Sequence, residues 1–592
     1  MKPPRLFLPA ILSGVLLWTA FFPLDLGSVA FVALVPFLTL VRAEGVSRWR
    51  RYSAAFLGGL IFAALAFKWV RVAHPMMEMF AWPAIAIYLG LYWPIALFLL
   101  RRLDRVGGAV GLPQVAEANR DGGQRRPPFA ITLPIVWVAL EYFRMHFPTG
   151  FPFLTWLGMY QQIGVGWYGL GYTQHHAIPL IQAADIGGVY LVSALVAAAN
   201  GAVYEWACRM QPFRWLVRMP RGWVPPTFTR EFTVTAGVIG VAASMLCYGG
   251  WRMVHPPFER GPLVAILQGN LAQDDKLIRG DQKDRQITPL EREYFPLAKA
   301  ASGDGSVRRP DLIIWPETCS PDNWHQLAPQ VKPESVEEIG RNNSDVSRQN
   351  FAFLTGQVWK ANTLYGLNAV EWFESGSRKY NSALFVTANG TVAGRYDKMH
   401  LVPFGEYVPL KEWFPWMQSF APYDHDYSCT PGTTYPQFEL KGVKPQTYRF
   451  GVLICYEDSD PYLARQYNPL AGRGPGADFL INISNDGWFN GTEEHEQHLA
   501  ICRFRAVESR CSVVRAVNMG ISAVIDGDGR IVAQPRETWA ESKKVSAVLR
   551  EEVPIDGRDS VYAAAGDWLP GLCWLLLGIT LIVGQLRRKS DG

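Results

Sequence analysis

Residues 232–270 read FTVTAGVIGVAASMLCYGGWRMVHPPFERGPLVAILQGN, and the change of pattern inside them decides the fold. From Phe232 to Trp251 no charged side chain interrupts the run. About 20 such residues make a helix long enough to cross roughly 30 Å of hydrocarbon. After a polar break, residues 263–268 form a short β-rich run that ends in Gln268-Gly269-Asn270. That pattern opens a water-soluble layered domain. The composition of the 592 residues fits a membrane part joined to a soluble part: 49% are hydrophobic, 18% are charged, and mean hydropathy is +0.03. Soluble proteins carry about 25% charged residues. A single small domain, a disordered chain and a collagen-like repeat are excluded.

Outward from that junction, uncharged or nearly uncharged runs at 6–24, 26–41, 53–67, 81–100, 127–143, 186–204, 232–251 and 568–586 predict eight spans. Glu141 follows directly on the purely apolar part of the fifth. Basic residues alternate between the connecting segments. Arg42, Arg48, Arg50, Arg51, the 101–126 loop, the 209–230 loop and Arg587, Arg588 and Lys589 fall on one side, against little beyond Lys68, Arg71 and Arg144 on the other. Positive charge marks the cytoplasmic side, so both termini are expected inside and the long segment from about 255 to 567 outside. The net charge of +5 is mostly this topological signal and implies no nucleic acid. A cleaved signal peptide ending near Ser28-Val29-Ala30 would leave an odd number of spans, and the uncleaved reading fits better. The expected division is 1–255 for seven membrane helices, 256–562 for the outside domain, and 563–592 for the eighth helix and tail.

Within the outside segment, strands are expected at 263–268, 311–315, 351–358, 382–387, 391–396, 450–455, 478–483, 512–517, 522–526 and 544–549. Hairpins are expected across Ala388-Asn389-Gly390 and Gly527-Asp528-Gly529, and a helix over 491–510 capped by Thr492. Short strands separated by polar or helical stretches indicate an α/β domain.

Three reactive side chains stand at the ends of apolar strands: Glu317 after Leu312-Ile313-Ile314-Trp315-Pro316, Lys398 after Tyr396-Asp397, and Cys455 after Val452-Leu453-Ile454. A carboxylate to take the thiol proton, a thiolate to attack a carbonyl and an ammonium to hold the oxyanion make a workable acyl-transfer set. A cysteine ending a buried strand is, more often, a small core residue.

The words around these residues raise the chemical reading. Trp315-Pro316-Glu317-Thr318, the segment from Tyr396 through Lys398 to Pro403-Phe404-Gly405-Glu406, Cys455-Tyr456-Glu457-Asp458 and Ser484-Asn485-Asp486-Gly487-Trp488-Phe489 resemble the signatures of the nitrilase superfamily. With the surrounding spans, Thr149-Gly150-Phe151-Pro152 and Gln268-Gly269-Asn270, nearly the whole chain resembles the apolipoprotein N-acyltransferase family. The resemblance implies an αββα sandwich on a membrane bundle and a Glu317–Lys398–Cys455 triad. It further implies a phospholipid acyl donor, a diacylglyceryl-modified apolipoprotein acceptor and a place at the periplasmic face of a bacterial inner membrane. Leu277 stands where that family would place an aromatic, and the outside loop 163–176 and basic loop 101–126 are long.

Supporting residues carry two readings each. Glu406 is a solvated loop charge or, by the resemblance, a second carboxylate at the site. Tyr456 and Glu457 follow the nucleophile: the backbone N–H there suits an oxyanion hole, while Glu457 is equally suited to pair with Arg503 or Arg505. Asn381 is a site hydrogen-bonder or a turn residue. Trp413, Phe414 and Trp416, with Phe420 nearby, are core residues or a lid at the membrane interface. Five of eight cysteines fall outside, and Cys319 with Cys429 is the pair singled out for a disulfide. His495 and His498, at helix spacing, are read as surface or packing residues rather than metal ligands, and neither metal nor cofactor is expected. The rival functions are a membrane-tethered amidase acting on a C–N bond and a transporter or inactive scaffold, the latter with only Glu78, Glu141 and Asp185 to mark an ion path.

Overall fold

The computed structural model describes residues 5–106, 126–148, 150–151, 164–217, 228–254, 258–276, 287–303, 308–408, 411, 413–420, 427–442, 446–472 and 474–590. Leu277, His425, Thr149, Pro152, Ile163, Arg218, Arg221 and most of the 101–126 loop lie outside the described residues.

Helices occupy all eight apolar runs, but unequally. Among the described residues four helices are long and apolar enough to cross a membrane: Met77–Arg105, Val189–Ala207, Phe228–Arg252 and Trp568–Leu586. Arg48–Ala66 and Phe129–His146 are of similar length but carry Arg48, Arg50 and Arg51 at one start and Glu141 and Arg144 near the other end. Phe7–Thr19 is shorter, and the second run is broken into a 3₁₀ turn, Gly27–Phe31, and an eight-residue helix, Val35–Arg42. Phe7–Thr19 and Arg48–Ala66 approach closely through small residues. A Cβ on Gly14 would come within 2.3 Å of the Gly58 carbonyl oxygen. Such close backbone approach is how apolar helices gain packing in lipid. The three acids considered for an ion path all have partners. Asp185 pairs with Arg252 (2.9 Å) and Arg510 (2.6 Å), Glu141 accepts from the Leu170 N–H (2.5 Å), and Glu78 pairs with Arg71.

The soluble part contains thirteen strands among the described residues. They are β1 (Glu259–Gln268), β2 (Leu312–Ile314), β3 (Trp324–Leu327), β4 (Thr363–Phe373), β5 (Gly376–Val386), β6 (Val392–Asp397), β7 (Phe438–Lys441), β8 (Thr447–Ile454), β9 (Phe479–Ser484), β10 (Ser512–Val517), β11 (Ala523–Ile525), β12 (Ile531–Ala533) and β13 (Ala547–Ile555). One sheet runs β13-β1-β2-β4-β5-β6 with β3 added to β4; the other runs β12-β11-β10-β9-β8-β7. The inner strands β1-β2-β4 and β8-β9-β10 are parallel, and accordingly their residues are apolar on both faces. Alternation along β1 serves two cores: Val264 and Ile266 face the layer between the sheets, while Ala265 and Leu267 pack with Tyr294, Ala298 and Phe351 of the outer helices. This is a helix–sheet–sheet–helix stack.

The Glu494–Ser509 helix closes the opposite face, and every one of its residues is buried. Leu499, Cys502 and Ala506 join the core of the soluble domain, while Ile501, Phe504 and Val507 join the core of the membrane helices. This helix is therefore the joint between the two parts, and two of its buried charges meet there: Arg505 pairs with Glu508 at 2.8 Å, and Glu508 accepts the Val189 N–H at 2.7 Å.

Three local expectations fail. Residues 351–358 are helical: Glu338–Phe353 continues into a π-type turn, Leu354–Trp359, with Phe351, Thr355 and Trp359 buried at helical spacing. The strand beside β5 is instead β4, which alternation did not reveal because its first five residues are all buried. The helix at 494 starts from Glu493, without a side-chain cap, rather than from Thr492. Cys319 and Cys429 are both free thiols, the first donating to the Glu317 carbonyl (3.3 Å) and the second to that of Tyr427 (3.9 Å). Each sulfur is thus turned to its own loop rather than to the other, contrary to the expected disulfide.

Candidate active site

Glu317, Lys398 and Cys455 converge on one cavity. Each sits just past the end of a strand, β2, β6 and β8 respectively, so the buried sheets fix where the side chains emerge. The backbone turns sharply at these exits. Cys455 itself has φ +56°, Thr318 after the glutamate has φ +50°, and Phe404 in the lysine segment has φ +62°. Non-glycine residues rarely adopt this region, and it persists where surrounding structure imposes it. At Cys455 that structure is Glu457, whose buried carboxylate accepts N–H bonds from Ile454 (2.7 Å), Met399 (2.7 Å) and His400 (3.1 Å) and the Tyr396 hydroxyl (2.9 Å). One side chain thereby ties the nucleophile turn to the lysine segment. It does not pair with Arg503 or Arg505. Burial pushes the Glu457 carboxyl up to about 7, against the pull of those donors.

The Glu317 carboxylate is held on both oxygens. Oε1 receives Lys398 Nζ (3.0 Å) and Asn381 Nδ2 (2.7 Å), and Oε2 receives the Asn485 backbone N–H (2.9 Å). Glu406 lies on the same ammonium at 3.0 Å and also accepts from Asn381 Nδ2 at 2.6 Å. It is therefore no solvated loop charge. Asn381, on β5, bridges the two carboxylates rather than making a turn. Burial alone would depress the Lys398 pKa; Glu317 and Glu406 outweigh it and hold the group well above the usual lysine range. Lys398 is thus a fixed cation. Burial, reinforced by the Glu317 charge, pushes the Cys455 thiol up to about 12 against the opposing charges of Lys398 and His498. At neutral pH the resting thiol is protonated, so a reaction through this sulfur needs a base at hand.

Several contributors carried no sequence signal. Lys276 donates to the Glu317 carbonyl (2.9 Å) and Thr318 Oγ1 (2.7 Å), pinning the glutamate turn. Asn482, on β9, donates to the Cys455 carbonyl (2.9 Å) and is itself held by Arg515 (2.7 Å). Arg515 also binds Asp486 (2.7 Å), and His498 lies between Asp458 (2.9 Å) and Asp486 (3.3 Å). The two histidines are thus buried rather than on the surface. Burial lowers the pKa of His495 to about 4, and its Nε2 accepts the Gly491 N–H (2.8 Å). That bond places the ring proton on Nδ1, which faces Asp486 (3.9 Å) and Glu494 (3.8 Å). Trp413 (80% exposed), Phe414 and Trp416 are exposed, which removes their core reading.

The cavity has a volume of about 1210 Å³ and extends beyond the soluble domain. Met77, Ala81, Ile85 and Tyr88 line it from one face of the Met77–Arg105 helix, together with Val70 and Phe147. The membrane part also touches the nucleophile turn directly. A Cβ on Gly166 would lie 2.7 Å from Ser459 Oγ, and Trp167 packs on His498 with ring centroids 5.2 Å apart.

Comparison with known proteins covers both parts. Residues 13–202 match the apolipoprotein N-acyltransferase N-terminal domain family, and residues 276–553 match the carbon-nitrogen hydrolase family. The chain is 30% identical to an apolipoprotein N-acyltransferase of Geobacter metallireducens, over 99% of this chain and 96% of that one. It is 26% identical to one of Rhodopirellula baltica, over 94% and 93%. Among solved structures, Saccharomyces cerevisiae Nit3 of the nitrilase superfamily is 18% identical with a TM-score of 0.32, covering 50% of this chain and 91% of that one.

Proposed function

The chain belongs to the apolipoprotein N-acyltransferase family and is an enzyme of lipoprotein N-acylation; we propose that it works through a thioester on Cys455. In the first half-reaction Glu317 takes the Cys455 proton and the thiolate attacks the acyl ester of a phospholipid. Lys398 Nζ and the Tyr456 backbone N–H stabilise the oxyanion. Collapse expels the lysophospholipid oxygen, which receives the proton from Glu317, and leaves the acyl group on sulfur. In the second, the free amine of a diacylglyceryl-cysteine attacks the thioester, Glu317 takes a proton from nitrogen, and the departing thiolate recovers it. Glu406 and Asn381 orient Lys398 and Glu317, and Glu457 holds the turn.

The observation that carries this reading is the single cavity joining the triad to one apolar face of a membrane-crossing helix. A hydrolase of small C–N substrates has no use for such a wall, whereas an acyl chain of a bilayer lipid lies along it. The exposed Trp413, Phe414 and Trp416 are read as a lid at the membrane surface. The full topology proposed is eight spans in a bacterial inner membrane, with 1–255 as the helical bundle, 256–562 as the periplasmic catalytic domain and 563–592 as the last helix and tail.

The test is the acceptor. With phosphatidylethanolamine as donor, a diacylated lipopeptide with a free N-terminal amine should gain one acyl chain as an amide, and its N-acetylated form should gain none. Release of free fatty acid at the same rate with either peptide would show a hydrolase instead.

A further inference from the structure

A second, shallower basin of about 610 Å³ shares no lining residue with the catalytic cavity. It lies where the β11–β12 hairpin meets the stretch around His176 and Ile178, and it presents three guanidinium groups, Arg503, Arg530 and Arg536, against one carboxylate, Glu537. Arg503 is the telling residue. It is only 6% exposed, yet among the described residues no carboxylate lies within ion-pair distance of it, and its Nε has no hydrogen-bond partner. Its polar and ring contacts are the His175 carbonyl (2.6 Å), the His175 Nδ1 at the long distance of 3.5 Å, and the Trp539 ring (5.0 Å). The other buried arginines of this region are all neutralised: Arg505 by Glu508 (2.8 Å), Arg510 by Asp185 (2.6 Å) and Arg515 by Asp486 (2.7 Å). The nearest acids are engaged elsewhere. Asp25 holds His175 (2.9 Å) and His176 (2.6 Å), Asp526 accepts the backbone N–H groups of Asp528 (3.0 Å) and Arg530 (2.8 Å), and Asp528 holds Arg558 (2.7 Å), Arg510 (3.2 Å) and Arg530 (3.4 Å). Burial without such a partner lowers the Arg503 pKa to about 10. A buried guanidinium is stable only with an anion or equivalent acceptors to satisfy it.

The basin is also at the right depth for lipid. Pro179, next to Ile178, packs against Gly249 so closely that a Cβ there would meet the Pro179 carbonyl oxygen at 1.7 Å. Gly249 is in the last turn of the Phe228–Arg252 helix, so the basin is level with the end of a membrane span. Val532 on its rim is exposed, as are Leu24 and Leu26 on either side of the Asp25 that holds His176.

We propose that this basin binds the phosphate of a phospholipid headgroup, with Arg503 as its buried anchor, Arg530 and Arg536 at the rim, and Leu24, Leu26 and Val532 against the acyl chains. The site is separate from donor binding at Cys455 and serves to seat the soluble domain on the membrane surface. Inorganic phosphate offers the same chemistry, and the experiment separates the two sources.

Full-length protein in detergent is photolabelled with phosphatidylglycerol carrying a diazirine in its headgroup, and the labelled peptides are mapped. Label is expected within 530–539. Unlabelled phosphatidylglycerol should displace it, and diacylglycerol should not. Displacement by inorganic phosphate at equal concentration would show a site for the free anion rather than for lipid. Both Arg503→Gln and the surface pair Arg530→Ala/Arg536→Ala should cut this label about tenfold, as loss of charge-assisted hydrogen bonds implies, with thioester formation on Cys455 unchanged as proof of folding. Label that persists in the surface pair, or that diacylglycerol displaces equally well, overturns the proposal.

Discussion

Lys398 shows how much a single residue's surroundings decide. Its ammonium is 3.0 Å from each of two carboxylates in a buried site, so it stays charged and cannot serve as a base. In the proposed mechanism that leaves Glu317 for proton transfer and Lys398 for the oxyanion. Replacing it by arginine keeps the charge but substitutes a larger planar fork for a point donor. Lys398→Arg should lower kcat by about 100- to 1,000-fold, the usual cost of an oxyanion donor, with fold and membrane insertion intact. Near-normal turnover of acyl transfer would remove Lys398 from the site. The three residues proposed as the triad could be picked out because each follows an apolar strand and sits in a recognisable word. Glu406 and Glu457 were legible only as alternatives, since a lone acid in a sequence does not declare whether it meets a cation, a backbone amide or water. Lys276 and Asn482 gave no signal: their work is hydrogen bonding to main-chain carbonyls at 2.9 Å, which any polar residue at that place in the chain could suggest equally well.

Among elements, the Glu494–Ser509 helix departs furthest from its sequence. It is rich in Glu, Gln, His and Arg, and its two histidines read as surface or packing residues, yet every residue is buried because membrane helices cover the face that a free-standing layered domain would expose to water. The consequence is measurable. His495 on this helix titrates near pH 4 in the folded protein, below its ordinary 6.5, because burial disfavours the charged ring. Below pH 6.5 the unfolded chain therefore binds a proton that the folded one refuses. The stability this group contributes is complete above pH 6.5 and is lost as pH falls toward 4, amounting to about 1.5 kcal/mol between pH 6.5 and 5. The unfolding midpoint of His495→Gln should accordingly fall less over that interval than the wild-type midpoint, and an equal fall would contradict the buried neutral ring. The misread stretch at 351–358 has a similar origin. A short apolar run fits a strand or a buried helix equally well, and only the burial of Phe351, Thr355 and Trp359 at four-residue spacing separates them. Its neighbour β4 escaped notice because a strand covered on both faces loses the alternation that marks one.

At the scale of the molecule, the division into apolar helices and an α/β part was plain from hydropathy, because lipid and water impose opposite compositions on their surroundings, while the two-sheet layering was implied only by the family resemblance. The interface between the two was not, since it depends on residues far apart in the chain, such as Gly166 against Ser459 and Asp185 against Arg510. In the proposed topology, read from the alternation of basic loops, the C-terminus lies in the cytoplasm. A tag placed after Lys589 should thus resist protease added to intact spheroplasts, while the soluble domain is digested. Cleavage of that tag in sealed cells would overturn the orientation.

The central claim is that the acyl group rests on Cys455 between donor and acceptor, and intact-mass spectrometry tests it most directly. Without a lipopeptide, wild-type enzyme mixed with phosphatidylethanolamine should gain the mass of one fatty acyl group, removable by neutral hydroxylamine. Cys455→Ala should gain none, and Glu317→Gln should gain it very slowly, since a thiol raised to about 12 is left without its base. A lipopeptide with a free amine should then discharge the adduct. Transfer that continues undiminished in Cys455→Ala would contradict the account.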